Sequence, residues 1–185
     1  MDEILINEYL SGKDESINIL IDRYKKPLYK LCFNLVRNNF EADDLFQETW
    51  IKIIKKIHKY KYKNFKNFLY KVCVNTYKDQ YRKKKKQKNL FSLMNDELYV
   101  QRLEKAHTAN CENILVNKEQ HNDVIRNLNT LKDYYRIPII LFYFEDMQYN
   151  KIAEVMNISL GTVKSRISKG KQQLKKSLEV YYNVI

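Results

Sequence analysis

Three acidic side chains stand close together near residue 45 of the sequence, at Asp43, Asp44 and Glu48. Carboxylates are ligands that Mg²⁺ prefers, so a metal-dependent nuclease is one function to consider. Neighbouring residues of a helix point about 100° apart, however, so Asp43 and Asp44 cannot easily share one metal ion. Asp44, Gln47 and Glu48 instead fall on one helical face, where they can contact a basic partner helix. The spacing therefore favours protein binding over catalysis.

His107 and Cys111 form a second group with ligand chemistry, at i and i+4. This spacing could place both on one helical face, but structural zinc sites use four ligands and no second pair accompanies these two. The three cysteines of the chain are far apart and never C-x-x-C, which predicts small buried side chains and no disulfide framework. The glycines, at positions 12, 161 and 170, cannot form a Gly-rich nucleotide-binding loop. We expect no metal and no cofactor.

The basic charge of the chain is concentrated in one stretch. From Lys52 to Lys88 the sequence holds 15 basic residues and one acid, a net charge of +14 in a chain whose total is +12. Residues 59–66, near its centre, alternate lysines with aromatic side chains. Lysine and arginine neutralise phosphates, and aromatic rings stack on unpaired bases. This composition predicts a nucleic-acid partner.

Residues 149–167 have the spacing of a helix-turn-helix. Ile152 gives the first helix a buried face, Asn157 tolerates the left-handed conformation of a turn, and Ser159 can cap the second helix. From Gly161 to Lys176 the second helix has six basic residues and no acid. This charge pattern is typical of a helix that lies in the major groove of DNA beside the phosphates.

Apolar residues recur at helical spacing almost throughout, so the predicted fold class is all-α. We expect two small helical domains, residues 1–88 and 113–185, joined by a flexible linker at residues 89–112, where the helical pattern weakens. A linker of about 25 residues could reach roughly 80 Å when extended. Pro27 is expected to kink or split the first predicted helix. Helices are predicted near residues 14–37, 41–58, 64–86, 114–131, 134–145, 149–156 and 160–176, with at most a short one near 96–105.

The sequence also predicts where in the cell the protein is located. The longest unbroken apolar run, Ile137 to Phe144, has eight residues, well short of the roughly 18 that a membrane-spanning helix needs. The first three residues, Met1-Asp2-Glu3, lack the basic start and apolar run of a secretory signal. We therefore expect a cytoplasmic protein without a membrane span.

Three segments carry a resemblance to one protein family. Residues 152–154, Ile-Ala-Glu, and 160–167, Leu-Gly-Thr-Val-Lys-Ser-Arg-Ile, resemble the domain that reads the promoter -35 element in sigma-70 family transcription initiation factors of the extracytoplasmic-function (ECF) group. Residues 41–50 resemble the segment of this group that docks on the clamp helices of RNA polymerase, and residues 65–82 its -10 reading and strand-opening region. The two modules cover nearly the whole chain, which leaves no room for the extra promoter-binding domain of housekeeping sigma factors.

The resemblance implies partners and site residues. The partners are core RNA polymerase, promoter DNA that is duplex at -35 and single-stranded at -10, and an inhibitory anti-sigma factor, and no enzymatic activity is implied. Polymerase binding is expected at Asp44, Gln47 and Glu48. Contacts with the -10 element, including capture of a flipped base, are expected at Tyr60, Tyr62, Lys63, Asn64, Lys66, Asn75, Lys78, Arg82 and Lys83. Contacts with the -35 element are expected at Thr162, Lys164, Ser165, Arg166, Ser168 and Lys169.

A helix-turn-helix regulator that binds promoters without polymerase is the alternative to this interpretation. The feature that discriminates between the two is the acidic face of Asp44, Gln47 and Glu48. Such a face does not help to bind DNA but suits a basic protein partner.

Overall fold

The computed structural model describes residues 2–60, 64–92 and 118–182, and every regular element within them is helical. This confirms the all-α prediction. No helix in these ranges is long and apolar enough to cross a membrane. The elements are α1 (Asp2–Leu10), α2 (Glu15–Val36), α3 (Asn39–Lys56), a 3-10 turn (Ile57–Lys59), α4 (Phe65–Ser92), α5 (Lys118–Thr130), α6 (Asp133–Tyr143), α7 (Tyr149–Met156) and α8 (Leu160–Tyr182).

Helices α2, α3 and α4 build the core of the N-terminal half. The apolar stripe of α2 is buried at Leu20, Leu28, Leu31 and Leu35, three to eight residues apart. Pro27 lies inside α2 without ending it, so the expected split does not occur. A proline in a helix interior leaves one carbonyl without its usual partner, and here the packing of the stripe outweighs that loss.

The turn between α2 and α3 is set by local chemistry. Arg37 adopts the left-handed conformation, with φ of 57°, and its N–H donates to the carbonyl of Phe33, which ends α2. Asn38 then caps α3, because its side-chain oxygen accepts a hydrogen bond from the Glu41 N–H at 3.0 Å. The break between the helices predicted near 14–37 and 41–58 therefore lies at Arg37 and Asn38.

Two helices differ from the prediction. Helix α1 was not predicted from the sequence, and Ile6 is its buried residue. Asp2 holds this helix against α2 by accepting hydrogen bonds from Arg23 and from the Tyr24 hydroxyl. Helix α4 extends to Ser92, into the predicted linker. The short helix expected near 96–105 lies outside the described residues, as do His107 and Cys111.

Cys32 of α2 and Cys73 of α4 meet in the N-terminal core. Both side chains are fully buried and their Sγ atoms are 3.6 Å apart. The contact between the two thiols and their burial raise the pKa of Cys32. These two cysteines are therefore small, unreactive core side chains, as the sequence predicts, whereas Cys111 lies outside the described ranges.

In the C-terminal half, α6 packs against α8 at Gly170. A glycine inside a helix costs about 1 kcal/mol relative to alanine, so it indicates either fraying or close packing. The structure shows close packing, because a Cβ at position 170 would lie 2.6 Å from Ile139 Cδ1 and 3.3 Å from Tyr135 Cβ. Gly170 therefore allows α8, which carries the basic residues, to approach α6 closely.

The two halves pack against each other through buried polar groups. The Arg136 guanidinium of α6 donates to the carbonyl of Leu35 at 2.9 Å and to the Tyr77 hydroxyl, both in the N-terminal half, and pairs with Asp133 at 2.9 Å. Only 7% of Arg136 is exposed. Because a buried charge needs such partners, this residue fixes where the halves meet.

Glu145, which follows α6, is the second buried charge of this interface. Its carboxylate accepts hydrogen bonds from the Tyr70 hydroxyl at 2.8 Å and from Asn34 Nδ2 at 3.2 Å. Burial raises the pKa of Glu145, although the bonds from Tyr70 and Asn34 and the positive charges of Lys30 and Lys66 oppose the rise. The ionised carboxylate is therefore less favourable here than in water.

Replacing Gly170 by leucine is expected to lower the free energy of unfolding by about 2–3 kcal/mol, because the new side chain must displace Ile139 and Tyr135. Gly161→Leu is the matched control, since a Cβ at position 161 meets no atom closer than 4.0 Å. Urea unfolding of both variants measures the difference. Equal stabilities would contradict the close packing of α6 and α8.

Replacing Glu145 by glutamine is expected to stabilise the packed halves at neutral pH and to remove one source of pH dependence. A carboxyl whose folded pKa is raised binds protons more tightly in the folded state. Its stabilising contribution is therefore complete below the ordinary glutamate pKa of about 4.3 and is lost as the pH rises through the raised value.

Thermal unfolding of wild type and Glu145→Gln from pH 4 to 8 should therefore converge at the acid end and diverge toward neutral pH, with the variant more stable. Glu154→Gln is the control, because Glu154 also bonds across the halves, to Asn67 at 2.9 Å, but is exposed. A divergence of equal size in the control would refute the role assigned to burial.

Candidate nucleic-acid interface

Helices α7 and α8 form the helix-turn-helix that the sequence predicts. Asn157 ends α7 in the left-handed conformation, with φ of 54° and ψ of 52°. The Ile158 N–H then donates to the carbonyl of Ala153 at 3.1 Å. Ser159 caps α8, because its Oγ accepts a hydrogen bond from the Thr162 N–H at 3.2 Å.

Helix α8 buries one face and exposes another. Val163 and Ile167 are buried against the rest of the C-terminal half. Of the residues expected to contact the -35 element, Thr162 and Arg166 are half-buried, and the others are exposed: Lys164, Ser165, Ser168 and Lys169. The structure therefore brings a continuous polar and cationic surface to the first three turns of α8.

The residues expected to contact the -10 element lie at and beyond the start of α4. Tyr60 is half-buried against the rings of Phe65 and Phe68, at centroid distances of 5.8 and 5.0 Å. Asn64 caps α4 by accepting from the Asn67 N–H at 3.1 Å. Tyr62 and Lys63 lie outside the described residues.

Further along α4, the expected contact residues differ in exposure. Lys66 is half-buried, with its ammonium 5.3 Å from the centre of the Tyr70 ring. Lys78 is also half-buried. The remaining three are exposed: Asn75, Arg82 and Lys83. Helix α4 can therefore present cations to DNA while its other face, at Leu69 and neighbouring apolar residues, fills the core.

The packing of the two halves brings both expected DNA surfaces to one cleft. This interdomain cleft has a volume of about 250 Å³ and lies between α4, α6, α7 and α8, and its lining residues are Lys78, Tyr81, Arg82, Asp133, Tyr134, Met156 and Arg166. Burial lowers the pKa of Lys78, and the neighbouring positive charges of Arg166 and Arg82 lower it further. Residues expected to read separate promoter elements are therefore neighbours in this structure.

The acidic face of α3 is only partly free. Asp44 and Gln47 are exposed. Glu48 is half-buried and pairs with Lys52 at 2.9 Å, and it also accepts a hydrogen bond from Gln80. Burial alone would raise the pKa of Glu48, but these two hydrogen bonds hold it below its usual range. Asp44 and Gln47 are thus the members of the predicted set that remain available to a partner.

Two apolar side chains belong to the same face of α3 and were not among the predicted residues. Phe40 is 75% exposed and Ile51 is 52% exposed. Phe40 precedes Asp44 by four residues, and Ile51 follows Gln47 by four. All four side chains therefore share one helical stripe. The i, i+4, i+7, i+11 spacing was a usable sequence signal. Exposed apolar side chains in one stripe are typical of an interaction surface.

Arg136 and Glu145 were also missed. Each is a charged residue beside the apolar run of α6, and the sequence offers no sign of its partner. No group of three His, Cys, Asp or Glu residues among those described is placed to hold a metal ion.

The geometry defines a class of protein: a helical DNA-binding protein whose C-terminal half carries a basic helix-turn-helix and whose N-terminal half carries a cationic helix and an acid-bearing, partly apolar face. Comparisons with known proteins agree with this class. Residues 20–87 match the family model for Sigma-70 region 2, and residues 121–174 match that for Sigma-70, region 4.

Comparisons with individual proteins show which members of this class the chain is similar to. The chain is 30% identical over 176 residues to the ECF RNA polymerase sigma factor SigW of Bacillus subtilis, covering 94% of each chain. It is 26% identical to SigM of the same organism, covering 86% of this chain and 93% of SigM. The sigma factor RpoE of Bartonella quintana, solved with the anti-sigma factor NepR, shares the fold with a TM-score of 0.67 at 22% identity, over 90% of this chain and 98% of that one.

The chain belongs to the ECF group of the sigma-70 family and is an alternative sigma factor that directs promoter-specific transcription. A regulator that acts without polymerase is not favoured, because the match includes region 2 as well as the helix-turn-helix.

Replacing Ser159 by alanine removes the side-chain cap of α8 and is expected to lower the free energy of unfolding by about 1 kcal/mol. Ser159→Asp is the matched control, because aspartate caps as well as serine and also favours the positive end of the helix dipole. Chemical denaturation measures both. An alanine variant as stable as the aspartate variant would show that the cap contributes nothing.

Proposed function

We propose that the two halves of this sigma factor read different parts of the promoter. Residues 1–88 bind polymerase and open the -10 element, residues 113–185 read the -35 element, and residues 89–112 link them. The factor acts in the cytoplasm through binding alone and has no catalytic activity of its own. We also propose core RNA polymerase, promoter DNA and an anti-sigma factor as its partners, the last because the sigma factor RpoE was solved in complex with the anti-sigma factor NepR.

The proposed -35 reader is the N-terminal part of α8. The start of α8, which Ser159 caps, carries the positive end of the helix dipole, and this favours a phosphate. Lys164 and Lys169 are exposed beside it, and Ser165 and Ser168 add short hydrogen-bonding side chains. These residues can contact phosphates and base edges in the major groove together. Thr162 and Arg166 flank the same surface.

The proposed -10 surface combines the loop before α4 with the exposed side of that helix. Arg82 and Lys83 can bind the backbone of the separated strand, and Asn75 offers a neutral hydrogen-bonding group about two turns earlier. The segment from Tyr60 to Lys66 is proposed to capture a flipped base. Because the Tyr60 ring already packs on Phe65 and Phe68, we propose that Tyr62 is the ring that stacks on the base.

The two readers must separate to bind one promoter. The -35 and -10 elements are about 25 base pairs apart, roughly 80 Å at 3.4 Å per base pair. Arg166 and Lys78 instead line one cleft. We propose that the packed arrangement opens at the interface of Arg136 and Glu145 when promoter and polymerase bind.

The observation that carries the proposal of polymerase docking is the stripe on α3. Asp44 and Gln47 are exposed between two exposed apolar residues, Phe40 and Ile51, and this stripe lies away from the interface between the halves. An exposed acid bordered by apolar side chains suits a partner helix with a basic centre.

Replacing Asp44 by lysine is expected to weaken binding to core polymerase at least about tenfold, because the new charge repels a basic partner. Asp43→Lys is the control, since Asp43 carries the same charge but points about 100° away on the helix. Binding is measured by fluorescence anisotropy of labelled factor with core polymerase, and run-off transcription is measured in parallel. Thermal unfolding confirms that both variants are folded. Unchanged polymerase binding by the Asp44 variant would refute this docking face.

A further inference from the structure

The interdomain cleft gathers three cations and one carboxylate. Lys78 and Arg82 reach it from α4, and Arg166 reaches it from α8. In the part of the chain that the structure describes, none of the three forms an ion pair. The Arg166 guanidinium lies over the Tyr134 ring, 5.9 Å from the ring centre. Three positive charges therefore meet in a partly enclosed space.

The one carboxylate of the cleft does not balance them. Asp133 is bonded to the Arg136 guanidinium at 2.9 Å and accepts a hydrogen bond from the Tyr77 hydroxyl at 3.0 Å. Its charge is therefore already shared with a buried cation. Burial lowers the pKa of Lys78 most, and repulsion from Arg166 and Arg82 lowers it further, although the negative charges of Asp133 and Asp79 oppose the shift. A bound anion would remove that repulsion.

We propose that the interdomain cleft is a binding site for a phosphate-type anion, which bridges α4 and α8 and stabilises the packed arrangement of the two halves. The volume of about 250 Å³ exceeds by many times the space that one water molecule needs. Two arginines supply planar guanidinium groups that match phosphoryl oxygens, and Lys78 adds a point charge. This inference goes beyond the proposed promoter contacts and does not require them.

Binding would have a consequence for the conformation. An anion that binds only the packed arrangement stabilises it by mass action and opposes the separation that promoter binding needs. The shared chemistry, phosphoryl oxygens, is available from two sources: a small free anion such as pyrophosphate, or the backbone of a short single strand of DNA. Duplex DNA does not fit into a cleft of about 250 Å³, because the major groove of the duplex is by itself about 12 Å wide.

The experiment titrates the full chain with pyrophosphate, and separately with a three-nucleotide oligothymidylate, by isothermal titration calorimetry at constant ionic strength. Saturable binding of either probe and a higher melting temperature in its presence are expected. Lys78→Gln and Arg166→Gln should each weaken binding about tenfold, the loss typical of one charge-assisted contact. Lys85→Gln and Lys176→Gln remove the same charge from exposed positions of α4 and α8 outside the cleft, and should change the affinity less than twofold.

The outcomes distinguish the two sources of phosphoryl oxygens and test whether the cleft is an anion site. Binding of pyrophosphate alone identifies a free anion, and binding of the oligonucleotide identifies the DNA backbone. The proposal is overturned if neither probe binds, or if the control variants lose as much affinity as the cleft variants, which would indicate general attraction to a basic surface. Polymerase binding and run-off transcription by the same wild-type preparation are measured alongside, so failure of this site is distinguishable from failure of the sigma-factor assignment.

Discussion

The burial of two charged side chains between the halves is the constraint on which the rest of this structure depends. Arg136 and Glu145 are each 7% exposed, and ions removed from water cost several kcal/mol unless hydrogen bonds replace the lost hydration. The N-terminal half supplies those bonds from Leu35, Tyr70 and Tyr77. A shifted arrangement would leave either charge without partners, so the interface is specific as well as polar.

That interface has an electrostatic cost elsewhere. By bringing α6 and α7 against α4, it places Arg166 beside Lys78 and Arg82. The buried bonds favour packing and the like charges oppose it, so the two contributions partly offset each other. Polar interfaces of this kind are typical of contacts that must also come apart. The arrangement suits a sigma factor whose two halves, as we propose, read separate promoter elements.

The sequence predicts the local parts of this structure well and the long-range parts poorly. The helix-turn-helix was predictable because the turn at Asn157, the cap at Ser159 and the buried face of α8 lie within a few residues of one another. The contact of Arg136 with Leu35 joins residues 101 positions apart, and no pattern in the sequence pairs them. Pro27 does not split its helix for a similar reason, because packing by distant residues outweighs a local preference. The role of Gly170 could not be predicted either, because it depends on contact with Ile139, a residue distant in the sequence.

The stripe on α3, where we propose that polymerase docks, has a consequence for the timing of complex formation. Charged groups such as Asp44 act over a distance and speed the encounter with a partner of opposite charge, an effect that salt weakens. Phe40 and Ile51 act only at contact, where their burial excludes water and slows departure. Because apolar side chains flank the polar ones along one helix, the rate of association should depend strongly on ionic strength while the lifetime of the complex depends on it little. In concentrated salt, the lifetime of the complex would then decide which sigma factor occupies a limited pool of polymerase. In dilute salt, the rate of association would decide it.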